Sequence, residues 1–598
     1  MDPVIVVGAG PVGLALTLAL ARYEVPVTVL DEAPAGGPGQ DERRPARTAV
    51  LRPETVAMLR RLGCATTEGT GWTGWRTLRR RGEVLRVPFA PPGDGGKAGL
   101  ADDDTHDGPH DDTHDAPEDD TAAGPAEPSP LHLPQHALTR ELLAAIGEEA
   151  DVRIVRDSRV TVLGQDSSGV TVHTRGDNGT VWRGSYLVGC DGARSVVRKL
   201  LGARFPGRTA VERHAVAALR AELPWPGEAV LHRSPPRGGE VTARPLPGGT
   251  WRLDWVLPPD GALVTPEALL ARVTDSLTAW CGDAPAYTLL DTGVYAVHHR
   301  LARRWRSGRA FLAGDAAHLL GALGTQGLDE GLKDAENLAW KLALAWHHGA
   351  SDALLDSYQA ERRGAIAARL RAADRALPVV RGEGGWRTVR RSLVPGAARA
   401  HDALLTDGHL GRGLLGAPAV YTRTPLTPAA PPAGSVLVGT AVGALVTDVP
   451  VTAPDGSEVR LHDRLGGDLL VVLVAPGTGV WERRHWLGAG LMPRLAAAVS
   501  ALPMRAELLV TEGYPGADAH TVLVVRPDGR LVAALAGVRP AELYACADAA
   551  RGGAAHAARQ AAEEGEEREA APDGEPDEDE RAAAGRPGPA TSEATANR

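Results

Sequence analysis

The N-terminal segment carries glycines at the spacing of a dinucleotide-binding turn. An apolar run, Val4–Val7, leads into Gly8, Gly10 and Gly13. At this spacing the first glycine allows a tight turn, the second lets the backbone approach a pyrophosphate, and the third lets the next helix pack on the strand. The following apolar run ends at Asp31, where a carboxylate can accept hydrogen bonds from ribose hydroxyls. The pattern predicts a strand–helix–strand unit that binds a dinucleotide, and a glycine-rich turn without a ligand is the alternative.

A second motif far downstream narrows the type of cofactor. Within residues 308–318, an apolar run leads into Gly314 and Asp315. A cofactor as long as FAD needs one loop at its ADP end and another at its ribityl and ring end. The two motifs together therefore predict a flavin enzyme, whereas the first alone indicates only a dinucleotide.

A third motif lies between these two. Residues 186–190 form an apolar strand that ends at Asp191 and Gly192, and Arg194 and Arg198 follow. Aspartate and glycine favour a tight turn, and arginines can bind phosphate. The alternative is an ordinary strand–turn–helix with two solvated arginines.

Length, charge and cysteine content exclude several other classes. At 598 residues the chain exceeds one hydrophobic core, and we expect about three domains. The net charge of -10 argues against a nucleic-acid partner. None of the 4 cysteines forms a C-x-x-C pair, so neither a disulfide framework nor a metal site is expected. Without a basic leader or a membrane-length apolar run, we expect a cytoplasmic protein with no membrane partner.

Composition also divides the chain into segments. Residues 91–130 are rich in aspartate and include three histidines spaced four apart. They predict a solvated acidic insertion, with a histidine metal site as the alternative. Short strands and turns at 206–290 predict a β-rich layer, and residues 424–432 a proline-rich linker. The Ala/Glu/Pro-rich segment 550–598 predicts a disordered tail.

Local patterns predict several further elements. Alternating residues at 152–188 predict strands with a hairpin turn at 177–179, and Trp251 and Trp255 are expected in a core. Helical patterns predict helices at 329–347 and 351–373, and apolar runs predict strands near 469–474, 506–511 and 521–525.

In this order the three motifs resemble the class A flavoprotein monooxygenases of the p-hydroxybenzoate hydroxylase and phenol hydroxylase type, and among them the aromatic polyketide hydroxylases. The resemblance covers roughly residues 3–375 and continues more weakly into 434–545. It implies that Asp191, Arg194 and Arg198 lie near the pyrophosphate, in a motif that the family also uses for NAD(P)H. The residues that it implies bind the cofactor FAD are Gly8, Gly10, Gly13, Asp31, Arg47, Gln135, Asp191, Gly192, Gly314, Asp315, Gln326 and Gly327.

The same resemblance implies an α/β fold. A Rossmann-like FAD-binding domain, residues 1–205 and 291–395, would be interleaved with a β-rich substrate domain, residues 206–290. A C-terminal thioredoxin-like domain would follow at 434–547. That segment holds no cysteine pair, so a structural or dimer-packing role is expected there rather than a redox role.

The loop after Asp315 departs from the family pattern. The family reads His-x-x-Pro-Pro-x-Gly-Gly-Gln-Gly-x-Asn, whereas here Gly321 and Ala322 replace the prolines and Asp329 replaces the asparagine. This loop would run beside the flavin ring. Losing the prolines should loosen it, and we hypothesise a wider or more mobile site for a bulky polycyclic substrate. Asp329 suits the helix dipole, yet its charge would oppose an anionic flavin nearby.

The function implied by the resemblance is a monooxygenase that uses FAD, NAD(P)H and O₂. It would insert one oxygen atom into a polycyclic aromatic, polyketide-type substrate, by hydroxylation through a flavin C4a-hydroperoxide. Baeyer–Villiger oxygenation, a catalytically silent flavin-binding partner protein and a reductase that does not use O₂ are the alternatives. The pattern assigns no catalytic base, because His298, His299 and Arg300 could equally be surface residues. A monomer or homodimer is expected.

Overall fold

The computed structural model describes residues 1–553 except 35–43, 81, 91–127, 177–179, 236–238, 259–260, 262, 284, 350, 382–396, 429 and 478–489. Most of the acidic insertion, the hairpin turn expected at 177–179 and nearly all of the expected tail therefore lie outside the described residues. One compact unit spans Met1–Gly552. A second unit, Gly553–Arg598, lies outside the described residues except for its first residue.

The described residues form these strands in chain order: β1 (Val4–Val7), β2 (Val27–Leu30), β3 (Thr48–Leu51), β4 (Thr70–Gly71), β5 (Gly74–Arg79), β6 (Gly82–Pro88), β7 (Leu131–Pro134), β8 (Val152–Val155), β9 (Arg159–Gln165), β10 (Val170–Arg175), β11 (Val181–Gly184), β12 (Tyr186–Gly189), β13 (Gly207–Arg220), β14 (Glu228–His232), β15 (Val241–Leu246), β16 (Thr250–Leu257), β17 (Thr288–Leu301), β18 (Arg306–Ser307), β19 (Ala310–Leu312), β20 (His318–Leu319), β21 (Pro450–Thr452), β22 (Glu458–Arg460), β23 (Leu469–Val474), β24 (Ala506–Thr511), β25 (Thr521–Val525) and β26 (Leu531–Ala536).

The helices are α1 (Pro11–Arg22), α2 (Pro53–Arg61), α3 (Gln135–Gly147), α4 (Val196–Leu200), α5 (Pro266–Cys281), α6 (Gly327–His348), α7 (Asp352–Tyr358), α8 (Gly364–Val380), α9 (Ala397–Leu410), α10 (Gly413–Gly416), α11 (Met492–Ser500) and α12 (Pro540–Ala550).

The first large sheet has six strands in the order β18-β19-β12-β1-β2-β8, drawn from residues 4–312. Its inner strands are parallel, and only the short edge strand β18 is antiparallel. The strands β1 and β2 consist almost entirely of buried aliphatic residues, as expected where helices cover both faces of a parallel sheet. Helix α1 packs against the long helix α6 beside this sheet.

An eight-stranded mixed sheet has the order β20-β17-β13-β16-β15-β14-β5-β6. It contains the strands expected at 206–290 and adds β5 and β6 from the N-terminal part of the chain and β17, which extends to Leu301. Trp251 and Trp255 are buried against α5 in the core on one face of this sheet, so their predicted core role is confirmed. Two three-stranded sheets, β11-β10-β9 and β3-β7-β4, complete this part.

The C-terminal part contains a third large sheet with the order β22-β21-β24-β23-β25-β26. Its strands β23, β24 and β25 have the bounds expected from their apolar runs. β23 is parallel to β24 and antiparallel to β25, and residues of α11 and α12 share a core with the sheet. This part therefore has its own hydrophobic core.

The helical region after the second motif differs from the prediction in one respect. The helix expected at 329–347 is α6 and is slightly longer. The helix expected at 351–373 is instead two helices, α7 and α8, joined by a π-helical turn at Gln359–Arg363. This wider turn brings two consecutive charged side chains, Glu361 and Arg362, into buried ion pairs, which a regular amphipathic pattern does not predict.

Candidate functional site

Four of the predicted binding turns begin where neighbouring parallel strands end. Gly8 follows β1, Asp31 follows β2, Asp191 follows β12 and Gly314 follows β19. β1 pairs in parallel with β2 and β12, and β12 pairs in parallel with β19. The carboxyl ends of parallel strands meet at one edge of a sheet, so these distant residues come together there. This edge is where open α/β sheets bind their ligands.

The three glycines of the first turn have different surroundings. Gly8 has φ +103°, and a Cβ on it would lie 2.7 Å from the carbonyl oxygen of Cys190. A Cβ on Gly13 would lie 2.1 Å from the Gly8 carbonyl oxygen, so α1 packs on the turn only because residue 13 has no side chain. A Cβ on Gly10 would meet no atom within 4 Å. Gly10 therefore leaves the backbone open to a ligand, which is the arrangement that a pyrophosphate requires.

A cavity of about 740 Å³ is lined by this sheet edge and by the eight-stranded sheet. It reaches both the first turn and the Asp315 turn, so a long cofactor with two ends, such as FAD, fits the donors around it. Among the predicted cofactor residues, those that line it are Gly10, Arg47, Gln135, Gly192, Asp315, Gln326 and Gly327. Those that do not line it are Gly8, Gly13, Asp31, Asp191 and Gly314.

The two predicted hydroxyl-binding carboxylates differ in setting. Asp315 is open to the cavity, and burial by the surrounding protein raises the pKa of its carboxyl, although His318 and Arg47 act to lower it. The Asp315 carboxyl is therefore within reach of a ligand hydroxyl. Asp31 is half-buried at the end of β2 and forms an ion pair with Arg156, which holds it at the sheet edge.

The Asp191 turn uses its carboxylate to cap a helix. Asp191 accepts hydrogen bonds from Ser195 Oγ at 2.5 Å and from the amides of Val196 and Val197 at 2.6 and 3.0 Å. These bonds satisfy the N-terminus of α4 and fix the shape of the turn. Gly192, at φ +75°, is the residue of this turn that lines the cavity.

The two arginines after this turn, Arg194 and Arg198, lie outside the cavity lining. Arg198 is buried and donates to the carbonyl oxygens of Ala316, at 2.9 Å, and Ala193, at 2.8 Å. It therefore ties the Asp191 turn to the Asp315 turn, and its own side chain does not line the cavity. The expectation that it lies near the pyrophosphate stays a prediction. Arg194 is exposed and likewise absent from the cavity lining.

Asp334 on α6 is a structural partner of the site that sequence reasoning missed. Its carboxylate accepts hydrogen bonds from the Gly314 amide at 2.9 Å and from His318 Nε2 at 2.8 Å. Burial acts to raise its pKa, but His318 and Arg362 outweigh burial and hold the pKa below its usual value. His318 is fully buried and stacks on Trp305, so it supports the loop as a packed residue. The sequence signal that could have identified Asp334 is its charge within a helix that is buried in the fold.

The loop between Asp315 and α6 is packed. Ala322 and Leu323 are fully buried, and the Leu323 amide donates to Glu212 Oε2 at 3.0 Å. Leu323 has φ +56°, a left-handed conformation that is costly for a branched side chain, and the surrounding contacts hold it there. The hypothesis of a wide site agrees with the cavity, but the loop in this structure is not loose.

Asp329 lies behind this loop and is absent from the cavity lining. It is fully buried and accepts hydrogen bonds from the Arg52 amide at 2.9 Å and from Arg52 Nε at 2.5 Å. Arg52 thus places a cation against the Asp329 carboxylate, and Arg52 also pairs with Glu330. The residues at the start of α6 that line the cavity are Gln326, Gly327 and Leu328.

A polar wall on the eight-stranded sheet faces the same cavity. Because side chains alternate along a strand, Trp251 and Trp255 enter the core while Arg252 and Asp254 line the cavity. Sequence reasoning identified the tryptophans and missed the charged residues between them. The sequence signal that could have identified Arg252 and Asp254 is the same alternation, because it places them on the face of β16 opposite to the tryptophans.

Asp254 is the centre of this polar wall. It accepts hydrogen bonds from His214 Nδ1 at 2.6 Å, from the Tyr295 hydroxyl at 2.9 Å and from Arg252 Nη2 at 3.0 Å. Burial alone would lower the pKa of His214, but the Asp254 and Glu212 carboxylates outweigh burial and raise it to about 9. His214 is therefore a fixed cation at neutral pH. The Tyr295 ring stacks on it with centroids 5.1 Å apart.

The three candidates at the end of β17 separate in space. His298 lines the cavity, and its Nδ1 accepts a hydrogen bond from the Ala210 amide at 3.0 Å. His299 is buried and pairs with Asp374 at 2.9 Å. Arg300 donates to backbone and hydroxyl oxygens outside the cavity lining. Of these three, only His298 is placed to meet a ligand.

Comparison with known proteins agrees with this geometry. Residues 1–373 match the FAD binding domain family. The chain belongs to this family. It is an FAD-dependent oxidoreductase of the class A flavin monooxygenase type, as the three motifs predict, and NAD(P)H is the reductant that this class uses. Its mixed α/β architecture with several sheets confirms the expected α/β class of an FAD-binding monooxygenase.

Several similar proteins match this chain over most of their own length. Rifampicin monooxygenase from Streptomyces venezuelae is 32% identical over 401 residues, which are 66% of this chain and 75% of that protein. Dialkyldecalin synthase from Streptomyces rugosporus is 31% identical over 499 residues, 81% of this chain and 89% of that protein. An anhydrotetracycline hydroxylase structure from Streptomyces rimosus is 27% identical with a TM-score of 0.58, covering 90% of this chain and 96% of that one.

Other matches are partial. This chain spans 40% of the length of the 3-(3-hydroxy-phenyl)propionate/3-hydroxycinnamic acid hydroxylase from Mycolicibacterium smegmatis.

In the described part of the chain, no helix combines the length and apolar character needed to cross a bilayer, and no group of three or more potential metal ligands is present.

Proposed function

We propose that the protein is an NAD(P)H-dependent monooxygenase that inserts one oxygen atom from O₂ into a polycyclic aromatic, polyketide-type substrate as a hydroxyl group. The observation that carries this proposal is the continuous cavity of about 740 Å³. It joins the turns expected to hold FAD to the polar wall on the eight-stranded sheet. This continuity supports a substrate held on the sheet wall beside the ring end of the cofactor.

We propose the predicted cofactor residues as the FAD site. Bound FAD supplies hydride acceptance and oxygen activation, and the protein supplies binding and orientation. Gly10 and the N-terminus of α1 suit a diphosphate, and Asp315 suits ribityl hydroxyls. Partial positive charge at the N-terminus of α6, at Gly327, would favour an anionic ring bound at this end of the cavity, and the packed loop at Leu323 would help to exclude water from it.

On the substrate side, the polar wall supplies orientation. Protonated His214 and the Tyr295 hydroxyl are fixed by Asp254 and line the cavity. Groups held in this way by packing and hydrogen bonds position a ligand more exactly than mobile loops do. We assign them to orienting the oxygen substituents of the substrate, and assign no base.

The expected domain organisation remains a proposal. We propose an FAD-binding domain at 1–205 and 291–395, a substrate domain at 206–290 and a thioredoxin-like domain at 434–547. The mixed sheet with parallel β23 and β24, covered by α11 and α12, supports the last of these. Its one cysteine, Cys546, is buried, which supports a structural rather than a redox role for this domain. A monomer or homodimer remains part of the proposal.

A second candidate is favoured by one relative. Dialkyldecalin synthase, which spans most of this chain, is named for a synthase reaction and not for an oxygenation. Together with Gly321 and Ala322 in place of two prolines, this supports a protein that holds FAD without using it for oxygen transfer. Baeyer–Villiger oxygenation is a further variant of the first candidate, because the same cavity would serve a ketone substrate.

The deciding experiment follows the flavin absorbance of purified, FAD-loaded protein after anaerobic addition of NADPH or NADH. It is run with and without rifampicin or anhydrotetracycline, the compounds for which two similar proteins are named. A monooxygenase should show flavin bleaching that a suitable substrate accelerates.

Admitting ¹⁸O₂ and weighing the product then separates the variants. One ¹⁸O atom as a hydroxyl supports hydroxylation, and one ¹⁸O atom in a new ester supports Baeyer–Villiger oxygenation. The monooxygenase proposal would be overturned in favour of the second candidate if neither NADPH nor NADH reduced the flavin, whichever polycyclic compound was present.

A further inference from the structure

Arg244 on β15 is a buried cation that forms no ion pair with any carboxylate of the described residues. It is 7% exposed and lines the cavity. Among the described residues its hydrogen-bond partner is His409, whose Nδ1 lies 2.9 Å from Arg244 Nη2, and no carboxylate forms an ion pair with it. By contrast, Arg252 and Arg381, which line the same cavity, pair with carboxylates.

An unpaired buried guanidinium is energetically unfavourable. Burial lowers the pKa of Arg244, and the nearby Asp254 only partly offsets this, because Asp254 already pairs with His214 and Arg252. Burial and the Arg244 charge hold the pKa of His409 well below its usual value, so His409 is neutral and accepts the hydrogen bond at Nδ1. Among the described residues, therefore, no carboxylate forms an ion pair with this guanidinium, and the Asp254 charge is shared with His214 and Arg252.

The position of Arg244 is fixed next to the flavin-side loop. His409 stacks on Trp75 with ring centroids 5.1 Å apart. A Cβ on Gly324 would lie 2.4 Å from His409 Nδ1, so His409 touches that loop directly. β15 is also an inner strand of its sheet, paired with β14 and β16. The guanidinium is thus presented by rigid elements at the loop end of the cavity.

We propose that Arg244 binds an ionised oxygen of the polycyclic substrate, and thereby selects acidic polycycles over neutral ones of the same shape. This rests on the proposed function, because it assigns the substrate side of that same cavity. A phenolate, enolate or carboxylate oxygen would supply the missing counter-charge through charge-assisted hydrogen bonds to the planar guanidinium. Arg244 would then be a specificity-determining residue.

The test compares two ligands of matched shape that differ in charge, anthraquinone-2-carboxylate and anthraquinone-2-carboxamide. Their affinities for FAD-loaded protein are measured by calorimetry without nucleotide. We expect the wild-type protein to bind the carboxylate about tenfold more tightly, as one charge-assisted hydrogen bond allows. Arg244→Met should lose this preference, and Arg244→Lys should keep part of it.

Arg220→Met is the matched control, because Arg220 is an exposed arginine at the end of β13 in the same sheet. It should retain the full preference. Equal affinities in the wild-type protein, or an undiminished preference in Arg244→Met, would overturn the proposal. Loss of FAD from Arg244→Met with an unchanged ligand preference would also overturn it, because the arginine would then serve the cofactor. Equal wild-type affinities for the two ligands would overturn the proposal even if a variant failed to fold, whereas assignment of a preference to Arg244 requires the comparison of Arg244→Met or Arg244→Lys with Arg220→Met.

Failure of this proposal and failure of the proposed function give different results. Oxygenated product without any charge preference overturns only the role of Arg244. A clear charge preference in a protein whose flavin no nucleotide reduces overturns only the monooxygenase activity.

Discussion

Asp334 Oδ2 accepts a hydrogen bond from the backbone amide of Gly314 at 2.9 Å, and so holds the turn that carries Asp315. The same oxygen accepts from His318 Nε2, and the other carboxylate oxygen accepts from Arg362 Nε, both at 2.8 Å. Asp334 is fully buried. The turn proposed to bind the ribityl chain is therefore fixed by a charge on α6.

Replacing Asp334 with asparagine should release this turn while keeping the shape of the side chain. We expect the FAD dissociation constant to rise about tenfold and the free energy of unfolding to fall by about 3 kcal/mol, because buried Arg362 loses a carboxylate partner. Flavin fluorescence on dilution and urea unfolding measure the two effects. Asp352→Asn is the control, since Asp352 is 86% exposed in its pair with Arg306 and should change stability by at most about 1 kcal/mol. Wild-type FAD affinity in Asp334→Asn would contradict the assignment.

A buried ion pair joins the C-terminal sheet to the π-helical turn. Arg526 donates to both oxygens of Glu361, at 2.6 and 2.9 Å, and both residues are 3% exposed. Arg526→Met should lower the free energy of unfolding by about 3–5 kcal/mol, because Glu361 is left as a buried, less compensated charge. Thermal unfolding measures the change.

Arg505→Met in the same part of the chain is the control for this pair. Arg505 is 83% exposed and lies 3.6 Å from Asp468, so its loss should cost at most about 1 kcal/mol. If both variants lost equal stability, the Arg526–Glu361 pair would not join the two regions energetically.

Substitution by alanine should destabilise the protein at Gly13 but not at Gly10, although both glycines belong to the first turn. A Cβ on Gly13 would lie 2.1 Å from a backbone oxygen, so Gly13→Ala should lower the free energy of unfolding by about 1–3 kcal/mol, as overpacking does. A Cβ on Gly10 would enter open space, so Gly10→Ala should keep the stability of the FAD-free protein within about 0.5 kcal/mol.

The same Gly10→Ala variant should bind FAD more weakly, because its methyl group would occupy space next to the proposed diphosphate. FAD titration of the apoprotein measures this. Unchanged affinity would argue that the cofactor does not approach Gly10.

His214 predicts a specific pH dependence of stability. Its pKa is raised to about 9 by Asp254 and Glu212 against the effect of burial, whereas unfolded histidine titrates near pH 6.5. The stabilisation is therefore fully present below about pH 6.5 and is lost as the pH rises through 9. It amounts to about 3 kcal/mol.

Urea unfolding at pH 6 and pH 9.5 measures this loss in the wild-type protein, and His214→Gln should show a much smaller one. His348→Gln is the control, because His348 is exposed at the end of α6 and its loss should leave the pH profile unchanged. An identical pH dependence in the wild-type protein and His214→Gln would contradict the raised pKa.

Sequence alone determined the features that depend on local backbone geometry. The spacing of Gly8, Gly10 and Gly13 encodes a tight turn, an open approach and a close helix contact, and the structure shows each of these. Apolar runs gave β1, β23 and β25, because continuous burial leaves a continuous apolar pattern. The order of the motifs along the chain was enough to identify the family and its cofactor.

Only the tertiary structure decided which charged side chains serve the cavity. Arg198 looked like a phosphate ligand but donates to two backbone carbonyls, whereas Arg244 and Asp254 had no motif and line the cavity. Asp334 likewise acts across 20 residues of chain to hold Gly314. Short-range spacing fixes backbone turns, but the partner of a charged side chain depends on which distant strands and helices the fold brings beside it. That information exists only once the sheets have packed together.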